Sequence, residues 1–75
     1  MTVNEMLQTY PILSYRPSAG ENLFSVCRRV YGNQTDQQLA FLVAANRRYD
    51  WSCLQAGAFI QYVAPEFIKY FNEIK

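Results

Sequence analysis

Hydrophobic and polar positions alternate in blocks that divide the chain into short elements. Residues 1–9 are polar apart from Met1, Val3, Met6 and Leu7, and read as a helical turn or an extended arm. The run Tyr10-Pro11-Ile12-Leu13-Ser14-Tyr15 concentrates β-formers and predicts a short strand over about 12–16. Pro17 ends it or holds it at a sheet edge, because proline offers no ladder donor. Leu23, Val26, Cys27 and Val30 then fall at i, i+3, i+4 and i+7, one face of a helix over about 22–31. Ser18-Ala19-Gly20-Glu21 has the spacing of a capping box ahead of it, Arg28 and Arg29 suit its C-terminal dipole, and Gly32 stops it. Thr35-Asp36-Gln37-Gln38 is a second capping box. Leu39, Leu42, Val43 and Asn46 repeat the helical spacing, widened by Phe41 and Ala45, and predict a helix over about 36–46. Asn46 suits that helix end because asparagine tolerates the left-handed conformation.

Residues 47–56 form a loop carrying Trp51 and Cys53, Gly57 turns the chain, and Ala58-Phe59-Ile60-Gln61-Tyr62-Val63 reads as a second strand. Pro65 at a first helical position, with Glu66 beside it, opens a third helix whose stripe is Phe67, Ile68, Phe71 and Ile74, flanked by Tyr70. The order strand–helix–helix–strand leaves the strands only each other as partners. It predicts an α+β fold: a two-stranded antiparallel sheet with both helices on one face, plus the C-terminal helix. Two strands alone are marginal in water, so helix packing is required. The chain divides into an N-terminal arm (1–10), a β-α-α-β domain (11–64) and a C-terminal amphipathic helix (65–75).

Composition narrows the function. At 75 residues the chain makes one domain with a small core, yet it holds six Tyr, five Phe and one Trp. Small domains this rich in large apolar groups often bury some against a partner. No apolar run approaches the length of a membrane span, and the first ten residues lack the basic segment of a secretory signal. A net charge of +1 is far from that of a general nucleic-acid binder. The absence of histidine removes the commonest general base and leaves Cys27 and Cys53 as the only soft ligands, so neither a metal, nor another cofactor, nor an enzyme is expected. Glu21, Asp36, Asp50, Glu66 and Glu73 are scattered, whereas a glycosidase needs two opposed carboxylates in a deep cleft. The pairs Arg28-Arg29 and Arg47-Arg48 suit helix ends or a neighbour's carboxylates better than phosphate.

Tyr15-Arg16-Pro17-Ser18-Ala19-Gly20-Glu21-Asn22-Leu23, then Val26, Tyr31-Gly32, Ala44-Ala45-Asn46 and Leu54-Gln55-Ala56-Gly57-Ala58-Phe59-Ile60, resembles the pattern of a LysM domain over about residues 15–63. Val26-Cys27-Arg28-Arg29-Val30-Tyr31-Gly32 and Leu42-Val43-Ala44-Ala45-Asn46 are more similar still to the phage tail protein X family, a LysM-like group of small tail proteins. The chain departs from the LysM pattern at Pro17, where a strand valine is usual, at Glu21-Asn22 in place of Asp-Thr, and at Arg47-Arg48 in place of small polar residues.

The tail resemblance implies a structural adaptor of a phage tail, baseplate or related contractile injection machine. Such a protein would be assembled in the host bacterial cytoplasm, reside in the virion, and contact other tail and baseplate proteins in a ring with a copy number of about three or six. The contact residues expected on this reading are Met6 and Leu7 in the arm and Phe67, Ile68, Tyr70, Phe71 and Ile74 in the last helix, which dock on a neighbour or back on the core. The LysM resemblance implies an alternative, a peptidoglycan- or chitin-binding module. Its shallow groove for N-acetylglucosamine polymers would be formed by Gly20, Glu21, Asn22 and Leu23 and by Asn46, Arg47, Tyr49 and Trp51, with an aromatic ring stacked on the sugar. Against it, Gly20 and Asn46 simply set backbone geometry and Trp51 packs on the core. A reducing site of assembly disfavours a disulfide, so two free thiols are expected, Cys27 inert on the core face.

Overall fold

The computed structural model describes residues 1–52, 54–55 and 57–72. The chain runs α1 (Val3–Thr9), β1 (Ile12–Tyr15), α2 (Leu23–Tyr31), α3 (Asp36–Ala45), β2 (Ile60–Val63) and a 3₁₀ helix (Pro65–Tyr70). The two strands pair antiparallel, Ile12 opposite Val63 and Tyr15 opposite Ile60. The expected α+β order of strand, helix, helix, strand is therefore present, with β2 beginning later than residue 58.

The N-terminal arm is a helix. Thr2 caps it: its hydroxyl accepts from the Glu5 N–H while the Glu5 carboxylate accepts from the Thr2 N–H. Thr2-Val3-Asn4-Glu5 carries the capping-box spacing, so the signal was in the sequence. The box expected at Ser18 does not cap α2. Asn22 does, accepting from the Ser25 N–H while the Ser25 hydroxyl accepts from the Asn22 N–H. Thr35 and Gln38 form the box expected at α3. Gly32 closes α2 at φ +83°, a left-handed conformation that costs glycine least.

The sheet uses both faces, not one. Tyr15, Ile60 and Tyr62 pack into a first cluster with Val26, Cys27, Leu42, Leu54 and Ala58. Ile12 and Val63, a residue out of phase with these along the pleat, pack into a second with Met6, Phe41, Ile68 and Phe71. Helix α3 lies between the two clusters and sends the adjacent residues Leu42 and Phe41 to different sides. This is why its expected stripe is only partly right. Leu42 is fully buried, Phe41 is equally buried, and Val43 is 42% exposed.

The C-terminal segment is a 3₁₀ helix rather than an amphipathic α-helix, and Phe71 is already extended (φ −70°, ψ 130°). Tertiary partners take the groups that another helical turn would have used. Gln37 Nε2 donates to the carbonyls of Lys69 and Phe71, the Met1 amine donates to the Tyr70 carbonyl at 3.1 Å, and the Asn72 N–H donates to the Met1 carbonyl at 2.7 Å. With those groups satisfied, the α-helix has little to gain by continuing. Tyr10 stacks on Phe67 (centroids 4.6 Å) and on Tyr70 (5.6 Å), fixing the segment to the arm.

Most of the expected contact residues take the second of the two placements, back on the core. Met6, Ile68 and Phe71 are core residues of the chain itself, 0%, 8% and 3% exposed. Leu7 and Phe67 are half-buried against the same cluster, and Tyr70 remains exposed. Ile74 lies outside the described residues.

Cys27 is a buried free thiol. Its sulfur donates to the Asn33 carbonyl at 3.3 Å and to Gln38 Oε1 at 3.6 Å, and burial pushes its pKa up despite the charge of Arg28. Native protein treated with iodoacetamide is expected to leave Cys27 unmodified, with full modification once guanidinium unfolds it, as read by peptide mass mapping. Native labelling at the rate of an exposed thiol would contradict this placement. Cys53 lies outside the described residues.

Candidate functional site

The loop between β1 and α2 is organised by one carboxylate. Glu21 Oε2 accepts from the Tyr15 hydroxyl (2.8 Å) and the Ser18 N–H (2.8 Å), and Oε1 accepts from the Ser25 hydroxyl (3.2 Å). The Ser18–Glu21 spacing thus yields half of a capping box, the carboxylate-to-backbone bond, and the half-box closes a turn rather than a helix. Gly20 sits in that turn at φ +90° with open space where a Cβ would stand, so conformation and not close approach requires glycine there.

Desolvation opposes ionisation of Glu21. The hydrogen bonds from Ser18, Tyr15 and Ser25 and the charge of Arg29 outweigh it, and the pKa lies below the ordinary glutamate value. A carboxylate lowered in the folded state stabilises above its unfolded pKa of about 4.3. That stability is lost as pH falls through the folded value. Glu21→Gln is expected to lower Tm at neutral pH and to flatten the fall of Tm from about pH 5 to about pH 3. Equal acid slopes in the two proteins would show that Glu21 does not carry the linkage.

The loop after α3 is held by Asn46, which is 3% exposed. Its Nδ2 donates to the carbonyls of Leu42 (2.8 Å) and Gln61 (2.9 Å), and its Oδ1 accepts from the Gln61 N–H (2.8 Å). The backbone at Asn46 is not left-handed (φ −131°, ψ 47°), so the side chain, rather than tolerance of that conformation, is what places asparagine here. The Tyr49 hydroxyl accepts from the Phe59 N–H at 3.1 Å, and Arg48 lies over the Tyr49 ring at 5.1 Å. Trp51 packs on the first cluster with its indole N–H buried and unpaired among the described residues.

The sequence-predicted groove residues divide between two concavities of the described residues or line neither of them. Leu23 and Arg47 line an open groove with Leu39, Ala40, Val43 and Ala44. Tyr49 lines a second depression with Arg48, Asp50 and Leu54. Gly20, Glu21, Asn22, Asn46 and Trp51 line neither. The first groove is apolar with Arg47 as its one charged side chain. Leu39 and Val43 were legible only as core positions, because period alone does not say which side of a helix is covered. Among the described residues no group of three His, Cys, Asp or Glu is placed to hold a metal ion, and no helix is long and apolar enough to cross a membrane. No family model, no curated protein and no solved structure matches the chain.

Proposed function

We propose that this chain is a structural adaptor of a phage tail, baseplate or related contractile injection machine, a LysM-like block that acts through protein–protein contacts. On this reading it is assembled in the host cytoplasm and ends in the virion. One observation carries the choice over sugar binding: the side-chain acceptors that a glycan would use at Glu21, Asn22, Asn46 and Tyr49 are already engaged by donors of the chain itself. The Glu21 oxygens accept from Tyr15, Ser18 and Ser25, Asn22 caps α2, Asn46 clamps β2, and the Tyr49 hydroxyl accepts from Phe59. A sugar needs free donors and acceptors beside an exposed ring. What the surface does offer is apolar: Leu13, Phe24, Val43, Phe59 and Tyr70 are each more than two-fifths exposed.

The second reading, a peptidoglycan- or chitin-binding module, has one feature in its favour, the open groove that joins Leu23 and Arg47 from its two expected loops. The test addresses both readings. Co-expression with the tube and baseplate proteins of a contractile tail is expected to give a stable complex on size exclusion, weakened by Phe24→Asp or Tyr70→Asp. Purified protein is expected not to be retained on insoluble peptidoglycan or chitin. Retention abolished by Trp51→Ala, with no complex formed, would replace the adaptor reading with the wall-binding one.

A further inference from the structure

The two edges of the sheet are not equivalent. Gln61 exchanges its N–H and C=O with the Asn46 amide, so both groups point away from β1. Backbone groups alternate along an antiparallel ladder, so Ile60 and Tyr62 turn toward β1, and their opposite residues Tyr15 and Leu13 turn toward β2. The Ala64 N–H, which donates to the Pro11 carbonyl at 3.1 Å, fits that phase. The N–H and C=O of Ile12 and of Ser14 must then point outward. On β2 the outer edge is closed, by Asn46 at Gln61 and by the Tyr31 hydroxyl, which donates to the Val63 carbonyl at 3.0 Å. On β1 no partner for the outward groups of Ile12 or Ser14 is found among the described residues.

Proteins usually blunt such an edge with charge, a bulge or a covering segment. Residues 11–15 carry no charge, Leu13 is 41% exposed, and Ser14 is exposed. We propose that this edge is a homodimer interface in which β1 pairs antiparallel with β1 of a second copy about a two-fold axis at Leu13. The argument for a second copy is self-complementarity. Setting Ile12 opposite Ser14 of the other copy places each outward N–H against a carbonyl and leaves none of them unpaired. The same register brings the two Leu13 residues face to face at the close, non-hydrogen-bonded position, where apolar side chains meet. It also sets Arg16 opposite Tyr10 of the second copy, so like charges do not meet. Because the β2 edge is closed, pairing stops at two copies and cannot propagate. The inference does not rest on the adaptor reading.

Sedimentation equilibrium of the full chain is expected to show a monomer–dimer equilibrium. Hydrogen exchange at the Ile12 and Ser14 amides is expected to slow by about tenfold or more on going from dilute to concentrated protein. Leu13→Lys and Leu13→Glu, both at a position that is 41% exposed, are each expected to be monomeric with native circular dichroism, and their equimolar mixture to dimerise again. Ser14→Pro, which deletes an outward donor, is expected to weaken the dimer while keeping the native circular dichroism. A chain that stays monomeric up to about 1 mM overturns the proposal and leaves the edge to a strand of another protein. A dimer that survives Leu13→Lys, or one in which the Ile12 and Ser14 amides exchange as fast as in dilute protein, overturns it equally.

Discussion

Phe41→Ala is expected to remove about 3–5 kcal/mol of folding stability, the largest loss from any single truncation in this chain. The ring is fully buried at the centre of the second cluster and meets Phe71 edge-on, with centroids 5.2 Å apart and planes at 84°. Met6, Val63 and Ile68 complete its surroundings, so α1, β2 and the 3₁₀ helix all lean on one side chain of α3. Those segments are short and tied at their ends, which limits how far they can close the cavity. A domain of this length has a total stability of roughly 4–11 kcal/mol, so the loss is a large share of it. Thermal melts by circular dichroism are expected to shift down by about 12 °C or more. Val43→Ala, two residues along the same helix, is the control. Its side chain is 42% exposed, and the expected cost is below about 1 kcal/mol. Equal costs at the two positions would mean that α3 is rotated from the orientation described.

Asn46→Ala is expected to cost about 3 kcal/mol, with a specific local signature. The substitution strips the partners from the Gln61 N–H and C=O and from the Leu42 carbonyl, and groups left unpaired out of water lose about 1–3 kcal/mol each before relaxation. Rapid amide exchange at Gln61, slow in the wild type, is the readout that separates this from general destabilisation. Asn46→Asp retains the acceptor but sets a carboxylate against two carbonyl oxygens, and at neutral pH it is expected to be no better than alanine. If Gln61 kept its protection in Asn46→Ala, water would be replacing the amide and the clamp would be dispensable.

These two residues also mark the boundary of what the sequence reveals. Local signals fixed the positions of β1, α2, α3 and β2 to within about two residues, because short-range rules govern helix period, Gly32 as a stop, and Pro17 as a strand end. The stripe on α2 was legible in full, since α2 is covered on one side and its period points at a single cluster. The stripe on α3 was not. A helix packed on two sides loses the contrast between wet and dry faces, so Phe41 and Val43 could not be ranked. The cap at Thr2 was present as a motif. Ser18–Glu21 shows why a motif alone is weak: the same spacing closed a turn, and Asn22 took the cap.

The candidate groove was legible as a set of residues but not as a site. The LysM resemblance set Glu21, Asn22 and Asn46 along a groove, but not the direction in which their polar atoms would point. They point to other groups of the chain, at Tyr15, Ser25 and Gln61. The C-terminal segment differs from expectation for the same reason. Pro65 and the apolar spacing favoured an α-helix, and contacts from Gln37 and Met1, far away in sequence, took the carbonyls that would have continued it.

The sequence by itself determined the order of elements, the α+β class, the antiparallel pairing of the two strands and the place of Cys27 on the core face of α2. Each follows from neighbours within about one or two turns of chain or from the absence of any other partner. Only the tertiary structure decided that both sheet faces are covered, that Phe41 rather than Val43 is core, and that Asn46 and Tyr31 close one sheet edge while the other stays open. Those outcomes depend on which distant groups meet, and a buried polar atom bonds to whatever donor or acceptor the packing brings within reach.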